Sequence, residues 1–152
     1  MPVRIVNGVS AAFASAAALG VSLTHRSHCH GVTCVTAHTA DHGEPDWEAL
    51  ARSGTTLAIY MGMGRLDAVC AGLLRWLPAH TPAAIVQAAS QPAEQSLACT
   101  LGALAAAAAT ALQGGQPGVI LVGPALAAAQ ATHVDAQPAP EAPHAPRERA
   151  RA

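Results

Sequence analysis

The chain of 152 residues carries a net charge of −1, and only 11% of its residues are charged. This length suffices for one domain with a single core. So few charges exclude a basic surface for nucleic acid, and no apolar run approaches the length of about 20 residues that spans a bilayer. Apolar residues make up 51% of the chain, but alanine dominates them and aromatic residues reach only 3%. We therefore expect a core that depends on helix propensity and close packing, with marginal stability.

The N-terminal part of the chain predicts two strands separated by a helix. Residues 3–6 are β-prone and predict a short strand. Ser10 is a candidate N-cap for an alanine-rich helix over residues 10–19, which Gly20 ends. Residues 32–36 read Val-Thr-Cys-Val-Thr, a β-branched run that is typical of a strand.

The middle of the chain predicts a helix, a buried strand and a second helix. Asp46 can cap a short helix that ends at Ala51, because its carboxylate can accept a free N–H group of the first turn. Residues 55–61 predict a buried strand, which Gly62 ends. Residues 65–77 predict the second helix. Its apolar side chains recur at helical spacing: Leu66, Val69, Cys70, Leu73, Leu74 and Leu77.

Three further strands and one helix are predicted in the second half of the chain. Residues 82–87 and 95–99 predict two strands with a turn between them. Thr100 can cap a helix that extends to Leu112, and residues 119–122 predict the last strand. Strands that alternate with helices predict an α/β fold in which crossover connections predominate.

Residues 131–152 differ in composition from the rest of the chain, being mostly alanine, proline, glutamate, histidine and arginine. Such a segment has little apolar surface to bury, so packing cannot offset the loss of about 1–2 kcal/mol of backbone entropy per ordered residue. We expect this tail to be disordered and dispensable for folding.

The cysteines and the N-terminal residues indicate the cellular compartment. Four cysteines fall within predicted regular structure, where they are typical of small buried apolar residues in a reducing compartment. They are Cys29, Cys34, Cys70 and Cys99. Residues 14–16 read Ala-Ser-Ala and superficially fit a signal-peptide cleavage site. Gly8 and Ser10 interrupt the preceding apolar run, so we expect a cytoplasmic protein.

Residues 25–42 are rich in histidine and cysteine, and a metal site is one interpretation of this density. The side chains concerned are His25, His28, Cys29, His30, Cys34, His38 and His42. Their spacing fits no standard zinc pattern. The strand predicted at residues 32–36 would also send alternate side chains to opposite faces. The pattern therefore favours loop and surface histidines over a metal site.

Three short motifs carry a resemblance to a known family. Residues 23–26 read Leu-Thr-His-Arg, residues 46–50 read Asp-Trp-Glu-Ala-Leu, and residues 60–62 read Tyr-Met-Gly. In this order and at this spacing they resemble the motifs L-T-H-R, D-W-E-x-L and Y-M-G of uroporphyrinogen-III C-methyltransferases, in the tetrapyrrole methylase family. Weaker matches in the same register extend from about residue 3 to about residue 123.

The resemblance implies a C-terminal half of the family's fold. Family members begin with a further domain, whose glycine-rich loops have no counterpart in this chain. Residues 1–20 would then be the end of that N-terminal domain, with a linker strand and helix. Residues 21–130 would be the C-terminal domain, a mixed sheet flanked by helices, and residues 131–152 lie beyond the resemblance.

The resemblance also implies a cofactor and a reaction. The family transfers methyl groups from S-adenosyl-L-methionine to pyrrole carbons of uroporphyrinogen III and forms precorrin-2, for sirohaem or cobalamin synthesis. Its cofactor-contacting residues match Ser10, Ala11, Met61 and Ala89. Ala89 replaces a family glycine, which fits relaxed constraint as well as altered specificity. From the residues alone, Ser10 and Ala11 can equally begin a helix, and Met61 can be a core methionine.

The substrate residues implied by the resemblance are His25 and Arg26. Uroporphyrinogen III bears many carboxylates, and arginine binds a carboxylate through two parallel hydrogen bonds. Both residues can also be solvated loop charges. The implied partners are a second copy in a homodimer or a protein that carries the N-terminal half. The alternative functions are a non-catalytic remnant that only binds a partner and a metal-binding protein.

Overall fold

Five strands form one mixed sheet in the structure, a computed structural model that describes residues 3–39, 43–112 and 114–131. The strands are β1 (Val32–Thr36), β2 (Thr56–Tyr60), β3 (Pro82–Gln87), β4 (Gln95–Thr100) and β5 (Gly118–Val122). Their order in the sheet is β1-β2-β5-β3-β4. The β1–β2 pair is parallel and the other three pairs are antiparallel. The prediction of an α/β fold with a mixed sheet is confirmed.

Helices provide three of the four connections between strands. They are α2 (Trp47–Arg52) between β1 and β2, α3 (Leu66–Leu74) between β2 and β3, and α4 (Leu104–Ala111) between β4 and β5. Since β5 runs antiparallel to both of its neighbours, β2 and β3 point the same way although β5 lies between them. The carboxyl ends of β1, β2 and β3 therefore meet at one edge of the sheet, beside the amino end of β5.

Each face of the sheet is covered by helices, and the alternation of side chains along β5 shows why. Ile120 and Val122 point into a core shared with α2, α3 and α4, whereas Val119 and Leu121 point into a second core. The second core is closed by α1 (Ala11–Ala18) and by a 3-10 helix, Pro124–Ala131, which the sequence did not predict. Because both faces are buried, β5 reads as a continuous apolar run.

The helix N-termini show where local reasoning held and where it was wrong. Asp46 caps α2 as predicted, since its Oδ1 accepts the Ala49 N–H at 2.9 Å. Thr100 does not cap a helix. It is the last residue of β4, paired with Pro82, and α4 begins at Leu104 after a turn. Because Thr100 pairs with β3, the strand extends through the position where the helix was predicted to begin.

The strand predicted at residues 3–6 is wrong. These residues have no regular structure, and the side chains of Val3, Ile5 and Val6 are 84%, 91% and 75% exposed. A strand exists through hydrogen bonds to a neighbour. No strand of the described ranges pairs with this segment, so its β propensity alone does not make it a strand.

The prediction that the cysteines are buried is correct for Cys29 and Cys70 and wrong for Cys34. Cys34 lies on β1, which is an edge strand of the sheet, and its side chain is exposed. Cys70 lies on α3, facing the core, and burial raises the pKa of its thiol to about 11, with the nearby Asp67 carboxylate adding to the shift. The Cys70 thiol therefore stays protonated at neutral pH and behaves as a small apolar side chain.

Within the described ranges, no helix has both the length and the apolar character needed to cross a membrane. The tail predicted to be disordered, residues 131–152, lies outside the described residues except for Ala131.

Candidate functional site

A cleft of about 390 Å³ opens at the edge of the sheet where β2 and β3 end and β5 begins. Three segments form most of its wall. Met61 and Met63 follow β2, Ala88 and Ala89 follow β3, and Gly118 begins β5. Ligands of open α/β sheets commonly bind beyond the carboxyl ends of strands. The residues of the described chain that line this cleft carry no charged side chain, so it suits an uncharged group.

Unusual backbone conformations concentrate at this cleft. Positive φ angles occur at Met61 (53°), Ala88 (48°) and Ser90 (64°), and at no other non-glycine residue of the described chain. Each such residue costs on the order of 1–3 kcal/mol and persists only where the surroundings hold it. Two of the three line the cleft and the third lies next to it, a distribution that is typical of a binding site.

Tyr60 connects the cleft to the start of α1. Its hydroxyl oxygen accepts the Ala12 N–H at 2.9 Å and lies 2.6 Å from Ser10 Oγ. Ser10 occupies the N-cap position but makes no side-chain capping bond, because its hydroxyl is engaged with Tyr60. The tyrosine therefore satisfies a free N–H of the first turn in place of Ser10 and holds Ala11 at the mouth of the cleft.

Glycines let the backbone approach closely around the cleft. A Cβ on Gly118 would lie 3.1 Å from Gln87 Cγ and 3.2 Å from Met63 Sδ. A Cβ on Gly62 would lie 2.7 Å from Ile120 Cδ1. The side-chain oxygen of Gln87 is buried beside Gly118 and has no hydrogen-bond partner in the described part of the chain. Gln87 does not itself line the cleft.

The family model for tetrapyrrole (corrin/porphyrin) methylases matches residues 1–105. The chain belongs to this family. Uroporphyrinogen-III C-methyltransferase of Pseudomonas aeruginosa is 47% identical over 102 residues, which cover 66% of this chain and 42% of that protein. Among curated relatives of this kind, the chain therefore spans about half of the full length or less.

Solved structures of tetrapyrrole methylases share the fold. Uroporphyrin-III C-methyltransferase of Thermus thermophilus, complexed with S-adenosyl homocysteine, is 31% identical with a TM-score of 0.67. The match covers 82% of this chain and 54% of that chain. Cobalt precorrin-4 methyltransferase, a cobalamin biosynthetic enzyme, is 26% identical with a TM-score of 0.72, over 81% of this chain and 52% of that chain.

The structure brings the predicted cofactor residues of this chain close together. Ala11, Met61 and Ala89 line the same cleft, and Ser10 is hydrogen-bonded to Tyr60, which also lines it. Met61 is 60% exposed, so its side chain is not part of the core. The four cofactor assignments stay predictions.

His25 and Arg26 lie at the opposite end of the sheet from the cleft, near the amino end of β2. They are in a turn that returns to Cys29, whose Sγ lies 3.2 Å from Oγ1 of Thr56, the first residue of β2. Met61 follows the last residue of the same strand. The His25 ring stacks on the His28 ring at 4.7 Å, and the His25 and Arg26 side chains are exposed. The structure therefore does not gather these two residues with the cofactor residues.

The histidine and cysteine side chains of this dense stretch do not form a metal-binding cluster in the described part of the chain. Within residues 3–39, 43–112 and 114–131, no three side chains of His, Cys, Asp or Glu come close enough to hold a metal ion. His42, which belongs to the same dense stretch, lies outside these ranges.

Sequence reasoning missed most of the residues that line the cleft, among them Tyr60, Met63 and Gly118. Tyr60 was part of the quoted Y-M-G motif but received no role. Met63 and Gly118 stand directly beside recognised motifs. An available signal was the proline-glycine pair that precedes the last strand, because glycine at a strand start often marks close backbone approach. The hydrogen bond between Ser10 and Tyr60 links residues 50 positions apart, and no local pattern predicts it.

Proposed function

We propose that this chain forms the C-terminal, cofactor-binding half of an S-adenosyl-L-methionine-dependent uroporphyrinogen-III C-methyltransferase. The single observation that carries the proposal is the cleft in which Ala11, Met61 and Ala89 converge. Family membership and the 31% identity to an enzyme complexed with S-adenosyl homocysteine support it. In this proposal residues 21–130 are the C-terminal domain and residues 1–20 lead into it.

The chemistry of the cleft fits the nucleoside part of the cofactor. Methionine side chains and an exposed strand end offer apolar, polarisable surface for a flat ring. Gly118, which begins β5 and has no side chain, leaves this part of the cleft wall to backbone atoms. The charged amino-acid part of the cofactor finds no charged partner among the described residues that line the cleft. We therefore place the adenosine in this cleft and the methionine part toward a partner.

When bound, the cofactor supplies an electrophilic methyl group, which would be transferred to pyrrole carbons of uroporphyrinogen III to give precorrin-2. The role of this chain is to position the cofactor and exclude water from one side of it. Tyr60 fixes the α1 terminus, and the strained backbone at Met61 fixes the strand end. We assign no catalytic residue to this chain.

A partner is required in this proposal, either a protein that carries the N-terminal half or a second copy of the chain. Five exposed apolar side chains near the N-terminus support it, because a run of exposed apolar residues is typical of a segment that packs against a partner. They are Val3, Ile5, Val6, Val9 and Phe13. His25 and Arg26 remain proposed substrate residues, and they would meet substrate carboxylates from a surface separate from the cleft.

The isolated chain should bind S-adenosylhomocysteine without turning over uroporphyrinogen III. The physical reason is that one side of the cleft is open and the charged part of the cofactor has no partner there. Calorimetry with S-adenosylhomocysteine tests binding, and mass spectrometry of the tetrapyrrole tests turnover against a sample without protein. Fusion to an intact N-terminal domain of a family member should restore turnover. Precorrin-2 formed by the isolated chain would contradict the need for a partner, and absence of binding in the fusion would contradict the proposed cofactor.

Met61→Ala should weaken S-adenosylhomocysteine binding by about tenfold in this fusion and change the free energy of unfolding by less than about 0.5 kcal/mol. Met61 is 60% exposed, so truncation removes ligand contact surface without opening a core cavity. Leu57→Ala is the matched control, because Leu57 lies on the strand that Met61 follows and is 2% exposed. This substitution should lower the free energy of unfolding by about 2–5 kcal/mol. Unchanged affinity together with a large loss of stability in Met61→Ala would show that Met61 is a core residue.

A further inference from the structure

The loop of residues 88–94, which joins β3 to β4, builds one wall of the cleft. Ala88, Ala89 and Gln91 line the cleft, and Ser90 lies between them. The backbone conformation of Ser90 therefore determines how Ala89 and Gln91 are placed relative to each other. A shift of this one residue would move two lining residues at once.

This loop holds a strained conformation without a glycine. Ala88 and Ser90 have φ angles of 48° and 64°, in the left-handed region where a Cβ is unfavourable. Three backbone hydrogen bonds support the strained loop. The Ala88 N–H donates to the Pro117 carbonyl at 2.9 Å, the Gln91 N–H to the Ala88 carbonyl at 3.0 Å, and the Glu94 N–H to the Gln91 carbonyl at 2.9 Å.

One side chain adds a fourth bond, at Ser90, the more exposed of the two strained loop residues. Glu94 Oε2 accepts the Ser90 N–H at 2.6 Å. A carboxylate that accepts a backbone N–H forms a charge-assisted bond, which is shorter and stronger than a neutral one. Glu94 makes no contact with the cleft itself, so its effect on a ligand passes through Ser90.

We propose that Glu94 is a positioning residue, whose carboxylate holds Ser90 in its left-handed conformation and thereby sets the wall of the cofactor cleft. This inference rests on the proposed function for its ligand, but the Glu94–Ser90 link can be measured without any ligand. Both ends of the loop are held by strand pairing, whereas the Ser90 N–H within it is bonded by a single side chain. Loss of the carboxylate frees the Ser90 peptide to leave the strained region.

The first measurement follows hydrogen exchange of the Ser90 amide in the unliganded chain. Glu94→Ala should speed exchange of this amide by about tenfold, because its acceptor is lost. Glu94→Gln retains a side-chain oxygen and should recover most of the protection. Glu48→Ala is the control, since Glu48 is paired with Arg52 on α2, on an exposed surface away from the cleft. Equal Ser90 exchange in Glu94→Ala and the unmodified chain would overturn the inference, whether or not a ligand binds.

The second measurement is S-adenosylhomocysteine affinity in the fusion to an intact N-terminal domain. We expect Glu94→Ala to weaken this affinity by about fivefold to tenfold. Glu94→Gln should bind within about twofold of the unmodified fusion, and Glu48→Ala should bind as the unmodified fusion does. Ser90→Gly removes the conformational penalty, so Glu94→Ala should cost less affinity when combined with Ser90→Gly than alone.

These arms separate the two proposals. If the unmodified fusion does not bind S-adenosylhomocysteine, the proposed cofactor is wrong, and the exchange measurement still decides the role of Glu94. If the fusion binds and Glu94→Ala binds equally well, the positioning role is wrong and the proposed function stands. An equal effect of Glu94→Ala with and without Ser90→Gly would likewise show that Glu94 does not act through Ser90.

Discussion

Ile120→Ala should lower the free energy of unfolding by about 2–5 kcal/mol, among the largest stability losses that we expect from a single truncation in this chain. Ile120 is fully buried at the centre of β5, the middle strand of the sheet, and pairs with Ile59 and Ile85 on either side. Truncation removes buried apolar surface and leaves a cavity that three rigid strands cannot close. The large side chains around it are themselves buried and closely packed, so they do not readily fill that space.

Urea denaturation followed by circular dichroism measures this effect, and the chain offers a matched control. Ile5 is also an isoleucine but is 91% exposed, so Ile5→Ala should change the free energy of unfolding by less than about 0.5 kcal/mol. A similar loss in both variants would mean that residues 3–6 are packed in solution. A small loss in both would mean that the sheet repacks around alanine at position 120.

Gly72→Ala should destabilise the chain by about 1–3 kcal/mol, although glycine to alanine normally stabilises a helix interior by about 1 kcal/mol. Gly72 lies within α3 opposite Trp47 of α2. A Cβ there would lie 2.5 Å from Trp47 Cδ1 and Nε1 and 2.9 Å from Cε2. The indole ring is 8% exposed, and it can move only by separating α2 from α3.

Thermal and urea denaturation of Gly72→Ala, of two further single variants and of one double variant test this expectation. Gly64→Ala is the control, because a Cβ on Gly64 meets nothing within 4 Å. Trp47→Leu has a smaller side chain, so the cost of Gly72→Ala should shrink when the two substitutions are combined. A gain in stability for Gly72→Ala alone would show that the helices adjust without strain.

Local sequence patterns identified most elements of this fold to within a few residues. The strand at residues 32–36 has the predicted bounds, and Asp46 caps its helix as predicted. Both depend on residues adjacent in the chain: a β-branched run, and a carboxylate three residues before a free N–H. The strand at residues 3–6 met the same local criteria and failed, because a strand also needs a partner, and pairing is not local.

The sequence likewise predicted some features of the candidate site and not others. A family resemblance, carried by short motifs, pointed to Ala11, Met61 and Ala89, and the fold places all three on one cleft. The same resemblance assigned His25 and Arg26 to the substrate, and the fold places that pair at the other end of β2. Motif order along a chain carries no information about which end of a strand each motif reaches.

The sequence by itself therefore determined the types of elements, their approximate ends and the family, because propensity, capping and motif identity reside in neighbouring residues. Only the tertiary structure decided that β5 enters antiparallel between β2 and β3. It alone assigned the Ser10 hydroxyl to Tyr60 and the Ser90 amide to Glu94. Sheet order and the first of these bonds join residues far apart in the chain, and the second needs a left-handed Ser90 conformation that the residues of the loop do not by themselves predict.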